Sequence, residues 1–489
     1  MRARMCLATT LSLLATVGCG GENGGTTRAD ASAPGTGGGS DPGSTGGISN
    51  TGGINGTGGS TLLDAAGGPP ADAAPDRAIG SDAMLNAADG GNEAPVSPSS
   101  CAPWPVSDGT IVSVSPTQAS TLHALVLNAA AGTTFVLQPG SYLIAGSLRL
   151  EKPGLTLRSS TDRADDVVID AAYDVAEAVV IRASNATVAH VTITHAVDHA
   201  IHVSPPSEGV DVTGLLVYGV TLTDNGEQFL KVNPIGSATG YVDGGRVECS
   251  TFLLTEQGRP HIERSVGGCY TGGIDVHAGL DWIVRNNRFE GIYCAGEGLA
   301  EHAIHFWKRS RGSLVENNLI INCARGVGFG MGDTDTGARV YSDTPYGGDL
   351  GHIDGVIRNN VIYADIDYFD TGIEIIQARQ PVVVHNTVVS WAGAGFFSSI
   401  DYRFGRTQAR IQNNLTRRIT VRDGAGGTVD HNLENTPQSY FVAPTAEGFH
   451  LADSATEAID HGVVVAEAGL DIDGEPHTHG APDLGADER

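Results

Sequence analysis

Trp282-Ile283-Val284-Arg285-Asn286-Asn287-Arg288-Phe289 is a short apolar alternation that closes on a pair of asparagines. The closing phrase returns as Asn317-Asn318-Leu319, Asn359-Asn360-Val361, His385-Asn386-Thr387, Asn413-Asn414-Leu415 and His431-Asn432-Leu433. Alternation with a period of two marks a strand, and asparagine marks the turn that ends it. A strand and turn repeated at irregular intervals imply a stack of short strands, one per coil. The chain is therefore expected to be a solenoid.

Other residues hold the same phase upstream, in Cys249-Ser250-Thr251-Phe252, Gly219-Val220-Thr221-Leu222 and His190-Val191-Thr192-Ile193. Intervals range from 18 residues, between Asn413 and His431, to 42, between Asn317 and Asn359. A minimal coil needs roughly 20–25 residues, so the surplus must leave the stack as loops. The largest surpluses fall at 253–272, 291–302 and 333–355.

Three segments organise the chain. Residues 1–19 combine a basic start, Met1-Arg2-Ala3-Arg4, with an apolar run from Leu7 to Val17. That pattern is a secretory signal, too short to span a bilayer permanently. Gly18-Cys19-Gly20 resembles a bacterial lipobox, which implies lipidation of Cys19, although Thr16 stands where leucine is usual. Residues 20–99 are rich in Gly, Ser, Thr and Ala, bury too little apolar surface to order themselves, and read as a flexible tether. Residues 100–489 are the folded domain. The expected location is the cell surface or outer membrane through the lipid, otherwise the medium.

The net charge of −27 argues against nucleic acid as a partner. Seven cysteines reduce to five in the domain, so one thiol is left over whatever the pairing. Cys294 with Cys323, and Cys249 with Cys269, are the pairs expected from their positions relative to the turns. No zinc-type spacing is present, and no metal ligands are assigned.

Thr134-Phe135-Val136-Leu137-Gln138-Pro139-Gly140-Ser141-Tyr142, the recurring asparagines and Ala481-Pro482-Asp483-Leu484-Gly485-Ala486-Asp487-Glu488 together resemble the pectate-lyase-like superfamily over about 130–489. The resemblance implies an all-β, single-stranded right-handed parallel β-helix with loop insertions, in which the turn asparagines hydrogen-bond along the stack. It also implies a monomer that acts on a polysaccharide, with calcium as the one cofactor left open. No aspartate cluster resembling the pectate-lyase calcium site is present. Asp471-Ile472-Asp473-Gly474-Glu475 offers too few ligands for a calcium loop and is expected, with Asp483 to Glu488, at the capping end of the stack.

About eleven residues after each turn lies a second strand: Ala200-Ile201-His202-Val203-Ser204, Phe229-Leu230-Lys231-Val232-Asn233, Gly273-Ile274-Asp275-Val276-His277, Ala303-Ile304-His305-Phe306-Trp307, Gly326-Val327-Gly328-Phe329-Gly330 and Gly372-Ile373-Glu374-Ile375-Ile376. Second and fourth positions are apolar throughout and face the core. The third position faces out and reads His202, Lys231, Asp275, His305, Gly328, Glu374. Adjacent strands lie ~4.8 Å apart, so the four ionisable residues from His202 to His305 fall within about 14 Å. Asn233, His277 and Trp307 occupy the fifth position, with Lys308 just beyond.

A uronate lyase removes the proton beside a carboxylate and expels the 4-linked sugar, which requires a base, a proton donor and positive charge. Lys231, Asp275 and His305 supply these types, with His202 or His277 as alternates and Lys308 or Arg325 as carboxylate clamps; neighbouring cations would make Lys231 a usable base, whereas Asp275 would oppose that. Trp307 and Asn233 complete the expected contacts with an acidic polysaccharide. Two alternatives remain. A glycoside hydrolase would use Glu227 and Glu301, two coils or about 9.6 Å apart. A binding solenoid would use Trp307 and Tyr402 as sugar platforms.

Overall fold

The computed structural model describes Cys101, Trp104 and residues 109–489, apart from 236–239, 266, 297, 332–338, 343–349, 392–395 and 478–479. The leader, the tether and Cys19 lie outside the described residues, as does much of the 333–355 insertion.

Most coils contribute one strand to each of three long sheets, of fourteen, ten and ten strands. Nearly all pairings are parallel and join one coil to the next in register. This is a right-handed parallel β-helix. The coil around the opening phrase shows the pattern: Ile283–Arg285 lies in the first sheet, Arg288–Glu290 follows the corner, and His302–Trp307 returns along the third.

The two asparagines of the phrase divide the work of the corner. The first residue takes positive φ at Asn286, Asn317, Asn359, His385, Asn413 and His431, and at the upstream equivalents His190, Gly219 and Cys249. Asparagine is among the residues that tolerate that backbone, and the stack repeats the requirement at every coil. The second residue builds a ladder inside the corner. Asn287 Nδ2 donates to Asn318 Oδ1 at 3.0 Å, Asn318 to Asn360 at 2.9 Å, Asn360 to Asn386 at 3.0 Å, Asn386 to Asn414 at 3.0 Å and Asn414 to Asn432 at 2.8 Å. The same oxygens accept backbone N–H groups such as Asn318 N at 3.0 Å, so the tight turn leaves few donors unpaired. Inside the three sheets, Phe252, Phe289, Trp282, Phe306 and Phe329 are fully buried among Val and Ile.

At the start of the stack, helix Ala119–Leu127 buries Leu122 and Val126 against the first coil. The C-terminal segment differs from expectation. It does not close the last coil but runs back along the asparagine corner and the second sheet. Phe441, Phe449, Leu451 and Leu484 pack on Leu319, Val361, Tyr363 and Leu415 from that sheet. Asn359 Nδ2 donates to the carbonyls of Ala468 and Leu470, each at 2.6 Å, and Asn413 O accepts from Gly485 N at 2.8 Å. The physical reason is that outward residues such as Leu319, Val361 and Leu415 are apolar and need a cover, which the tail provides.

The cysteine pairing also differs. Cys101 bonds Cys249 and Cys269 bonds Cys294, while Cys323 is a buried free thiol. Cys323 is buried with its thiol on the Ile321 carbonyl at 3.5 Å, and Cys294 is taken by Cys269 of the 253–272 insertion. Loop paths decided the pairing, and strand phase does not reveal them.

Candidate functional site

Six consecutive strands of the third sheet carry the polar column: β1 (Ile201–Val203), β2 (Gln228–Val232), β3 (Gly272–His277), β4 (His302–Trp307), β5 (Arg325–Phe329) and β6 (Thr371–Ile376). Their register aligns His202, Lys231, Asp275, His305, Gly328 and Glu374 in one row across the sheet. Inward neighbours Leu230, Val232, Ile274, Val276, Ile304 and Phe306 are fully buried and fix the strands. The column is thus where the alternation puts it.

Its burial is the new fact. Lys231 is 3% exposed, Asp275 5% and His305 1%, so this is a covered polar layer and not a solvated face. Charges taken out of water are tolerated only when paired, and these are. Lys231 Nζ meets Asp275 Oδ2 at 2.6 Å. His277 Nε2 lies 3.3 Å from each of those two atoms. The indole N–H of Trp307 donates to Asp275 Oδ1 at 2.7 Å, so both carboxylate oxygens are engaged. Burial pushes the Asp275 carboxyl up, but Lys231 and His277 outweigh it and hold the group well below the usual carboxylate range. Burial, followed by the charge of Lys231, lowers the His277 imidazole to about 4. At neutral pH Asp275 is therefore a carboxylate and His277 a neutral imidazole.

A second group stands beside the first. His305 Nδ1 lies 3.9 Å from Asp275 Oδ1 and 3.8 Å from Glu301 Oε2, and its Nε2 donates to the carbonyl of Gly330 at 3.3 Å. His302 Nε2 donates to Glu374 Oε2 at 3.0 Å. Arg325 spans the two acids, with Nη1 3.5 Å from Glu374 Oε2 and Nη2 3.8 Å from Glu301 Oε2. Burial raises the Glu374 carboxyl, but the His302 hydrogen bond and Arg325 bring it down to about 2. Burial and then His302 hold His305 well below its ordinary value.

The remaining residues named from sequence lie at the border. His202 pairs with Glu177 through Nδ1 and faces Asn233 Nδ2 across 3.3 Å. The Lys308 ammonium sits over the Trp307 ring, 4.8 Å from its centroid. Asn233, Lys308, Arg325 and His202 are half-buried, whereas Trp307 is buried edge-on to His277. Glu227 and Glu301 go to different partners: Glu227 stands 3.5 Å from His199 Nε2, and Glu301 faces His302 and His305.

His302 and His199 had no place in the sequence reading. His302 shares the phase of Ile304 and Phe306, which marks it as inward. It occupies the first position of β4, where the chain rounds a corner, and its ring turns outward over Gly328. A glycine in an otherwise apolar and polar alternation was the available signal, since an added Cβ at Gly328 would lie 2.8 Å from His302 Nε2.

No family model matches the chain, and no curated protein sequence matches it. Among solved structures the chain is similar to pectate lyase Pel9A, at 15% identity and a TM-score of 0.45 over 78% of this chain and 97% of that one. It is similar also to an alginate lyase from Paenibacillus sp. str. FPU-7, at 13% identity and 0.38 over 60% and 99%. A mannuronic acid specific polysaccharide family 6 lyase from human gut microbiota gives 13% and 0.34 over 66% and 83%. These are likenesses of coiling, and fold alone does not assign chemistry.

Proposed function

We propose that this is an exported polysaccharide-active protein, a lyase that cleaves a uronate-containing polymer by β-elimination. The observation that carries the reading is the buried contact of Lys231, Asp275 and His277, in which a fixed cation and a neutral base stand side by side. Elimination needs both: positive charge to stabilise the enolate-like carboxylate, and a base for the adjacent carbon-bound proton. Paired with the Asp275 carboxylate at 2.6 Å, Lys231 serves as electrophile and proton donor and not as the base. His277, one of the alternates named from sequence, takes the proton. Electrons of the broken C–H bond form the new C=C bond, the bond from carbon to the 4-linked oxygen breaks, and that oxygen receives a proton from Lys231. Arg325 and Lys308 hold the carboxylate.

Both carboxyls in the row, Asp275 and Glu374, are held ionised, which suits electrostatic support. Two disulfides accord with an oxidising compartment outside the cytosol. Attachment through a lipidated Cys19, and action as a monomer, belong to the same proposal. The test is a screen of acidic polysaccharides with wild type, Lys231→Ala and His277→Gln, read by far-ultraviolet absorbance of the unsaturated product and by new reducing ends. Absorbance with wild type alone supports elimination. Reducing ends without absorbance would move the reading to hydrolysis, and neither signal from any uronate polymer would end it.

A further inference from the structure

We propose that Glu301, His302 and His305 form a binding site for one divalent ion of the zinc class. The tautomers follow from hydrogen bonding. His302 Nε2 faces the Glu374 carboxylate at 3.0 Å and His305 Nε2 faces the Gly330 carbonyl at 3.3 Å, so both of these nitrogens carry hydrogen. In its neutral form each ring then presents Nδ1 as a lone pair. Those lone pairs converge on one oxygen: His302 Nδ1 lies 3.9 Å and His305 Nδ1 3.8 Å from Glu301 Oε2.

Three electron-pair donors facing one another in a buried place repel unless a cation stands among them. His302 is 1% exposed, and neither its Nδ1 nor Glu301 Oε2 has a hydrogen-bond partner although both atoms are closed to solvent. Arg325 Nη2, at 3.8 Å from Glu301 Oε2, is beyond hydrogen-bonding reach. The three ligand atoms lie within 4.8 Å of one another. Tetrahedral ligands about 2.1 Å from a zinc ion stand about 3.4 Å apart, so the two contacts to Glu301 must shorten by about half an ångström and the two imidazole nitrogens must approach each other by at most about 1.4 Å.

Two imidazoles and one carboxylate suit zinc, cobalt or nickel, whereas calcium and magnesium require oxygen ligands. Glu374 and the Gly330 carbonyl orient the two rings from behind, as outer partners of metal-bound histidines do. Three protein ligands leave a coordination position for a water or a substrate oxygen. The second cluster, His450, Asp473 and Asp487, differs because His450 Nε2 already pairs with Asp473 at 3.0 Å. This inference stands whether or not the protein is a lyase, since binding is read without a polysaccharide.

The test is titration of the intact chain with Zn(II) against a chromophoric chelator, together with the visible spectrum of the Co(II) form. One equivalent and tetrahedral or five-coordinate Co(II) bands are expected for wild type and for His450→Asn. Both signals should be lost in His302→Gln and Glu301→Gln. Glu374→Gln should bind roughly 10-fold more weakly, because it removes only an outer partner. Should His302→Gln fail to fold by circular dichroism, the half-buried Glu301 carries the test. Absence of stoichiometric binding by wild type, binding retained in folded Glu301→Gln, or loss in His450→Asn would each overturn the assignment.

Discussion

Lys231 and Asp275 occupy the same register position on adjacent rungs, and their charged ends meet at 2.6 Å with both residues at least 95% buried. Removal of either partner leaves the other as an uncompensated buried charge, which costs about 3–5 kcal/mol. Lys231→Ala and Asp275→Asn should each lower unfolding free energy by that order. The double change Lys231→Met with Asp275→Leu should recover most of the loss while leaving any polymer cleavage abolished. Urea unfolding of the four proteins measures this. A double variant as unstable as the singles would show that the layer holds by packing and not by charge pairing.

Acid should destabilise the solenoid before carboxylates protonate. Burial lowers His199 and His352 to about 3, His385 to about 3 and His277 to about 4. A histidine with a depressed folded pKa contributes its full stability above the unfolded value near 6.5 and loses it as pH falls, because the unfolded chain binds the proton first. Each such histidine contributes a slope of about 1.4 kcal/mol per pH unit below that point. Asp487 opposes this: burial raises it to about 7, and its contribution returns as pH falls. His190 and His305 are lowered as well, and of the raised aspartates Asp487 is the one brought to about 7, so the histidines prevail and the thermal midpoint should drop between pH 7.5 and 5. His352→Gln should flatten the profile by one proton, and a midpoint that rises on acidification would contradict the assignment.

The asparagine ladder should be strongest in its middle. Asn360 donates to Val315 O at 3.0 Å, Arg358 O at 2.9 Å and Asn386 Oδ1 at 3.0 Å, while its own oxygen accepts from Asn318. Asn360→Ala orphans several buried backbone groups and should cost roughly 3 kcal/mol, at ~1–3 kcal/mol per unsatisfied group. Asn432, half-exposed at the last rung, can exchange its partners for water, so Asn432→Ala should cost about 1 kcal/mol or less. Chemical denaturation distinguishes the two, and equal losses would mean that the ladder is not cooperative with burial.

The corner and the strand face were legible for one reason: both repeat. Positive φ recurs at the first asparagine and hydrogen bonding at the second, so the composition of the phrase reports its geometry. Likewise Leu230, Ile274 and Ile304 fix which side of each strand is inner, and the row of Lys231, Asp275 and His305 follows by parity. What does not repeat was not legible. Cys269 reaches Cys294 through loop paths, and the tail covers the second sheet because Leu319, Val361 and Leu415 leave it apolar. Burial of the polar layer depends on what covers it, which strand parity does not encode. His302 escaped because parity fails at the first residue of a strand.

Gly328 is where that failure can be probed. It stands in the polar row between His305 and Glu374, and its missing side chain is the room that the His302 ring occupies. An added methyl would meet the ring 2.8 Å from Nε2, among the atoms that hold Glu374 at 3.0 Å. The ring must move, because the backbone on which Gly328 sits is pinned by parallel pairing on both sides. Gly328→Ala should therefore leave the fold intact, break the His302–Glu374 bond and shift His302 Nδ1 away from Glu301. The expected result is near-wild-type circular dichroism and Co(II) affinity reduced at least as far as in Glu374→Gln, roughly 10-fold. Unchanged Co(II) binding in Gly328→Ala would show that His302 reaches Glu301 without the space that the glycine provides.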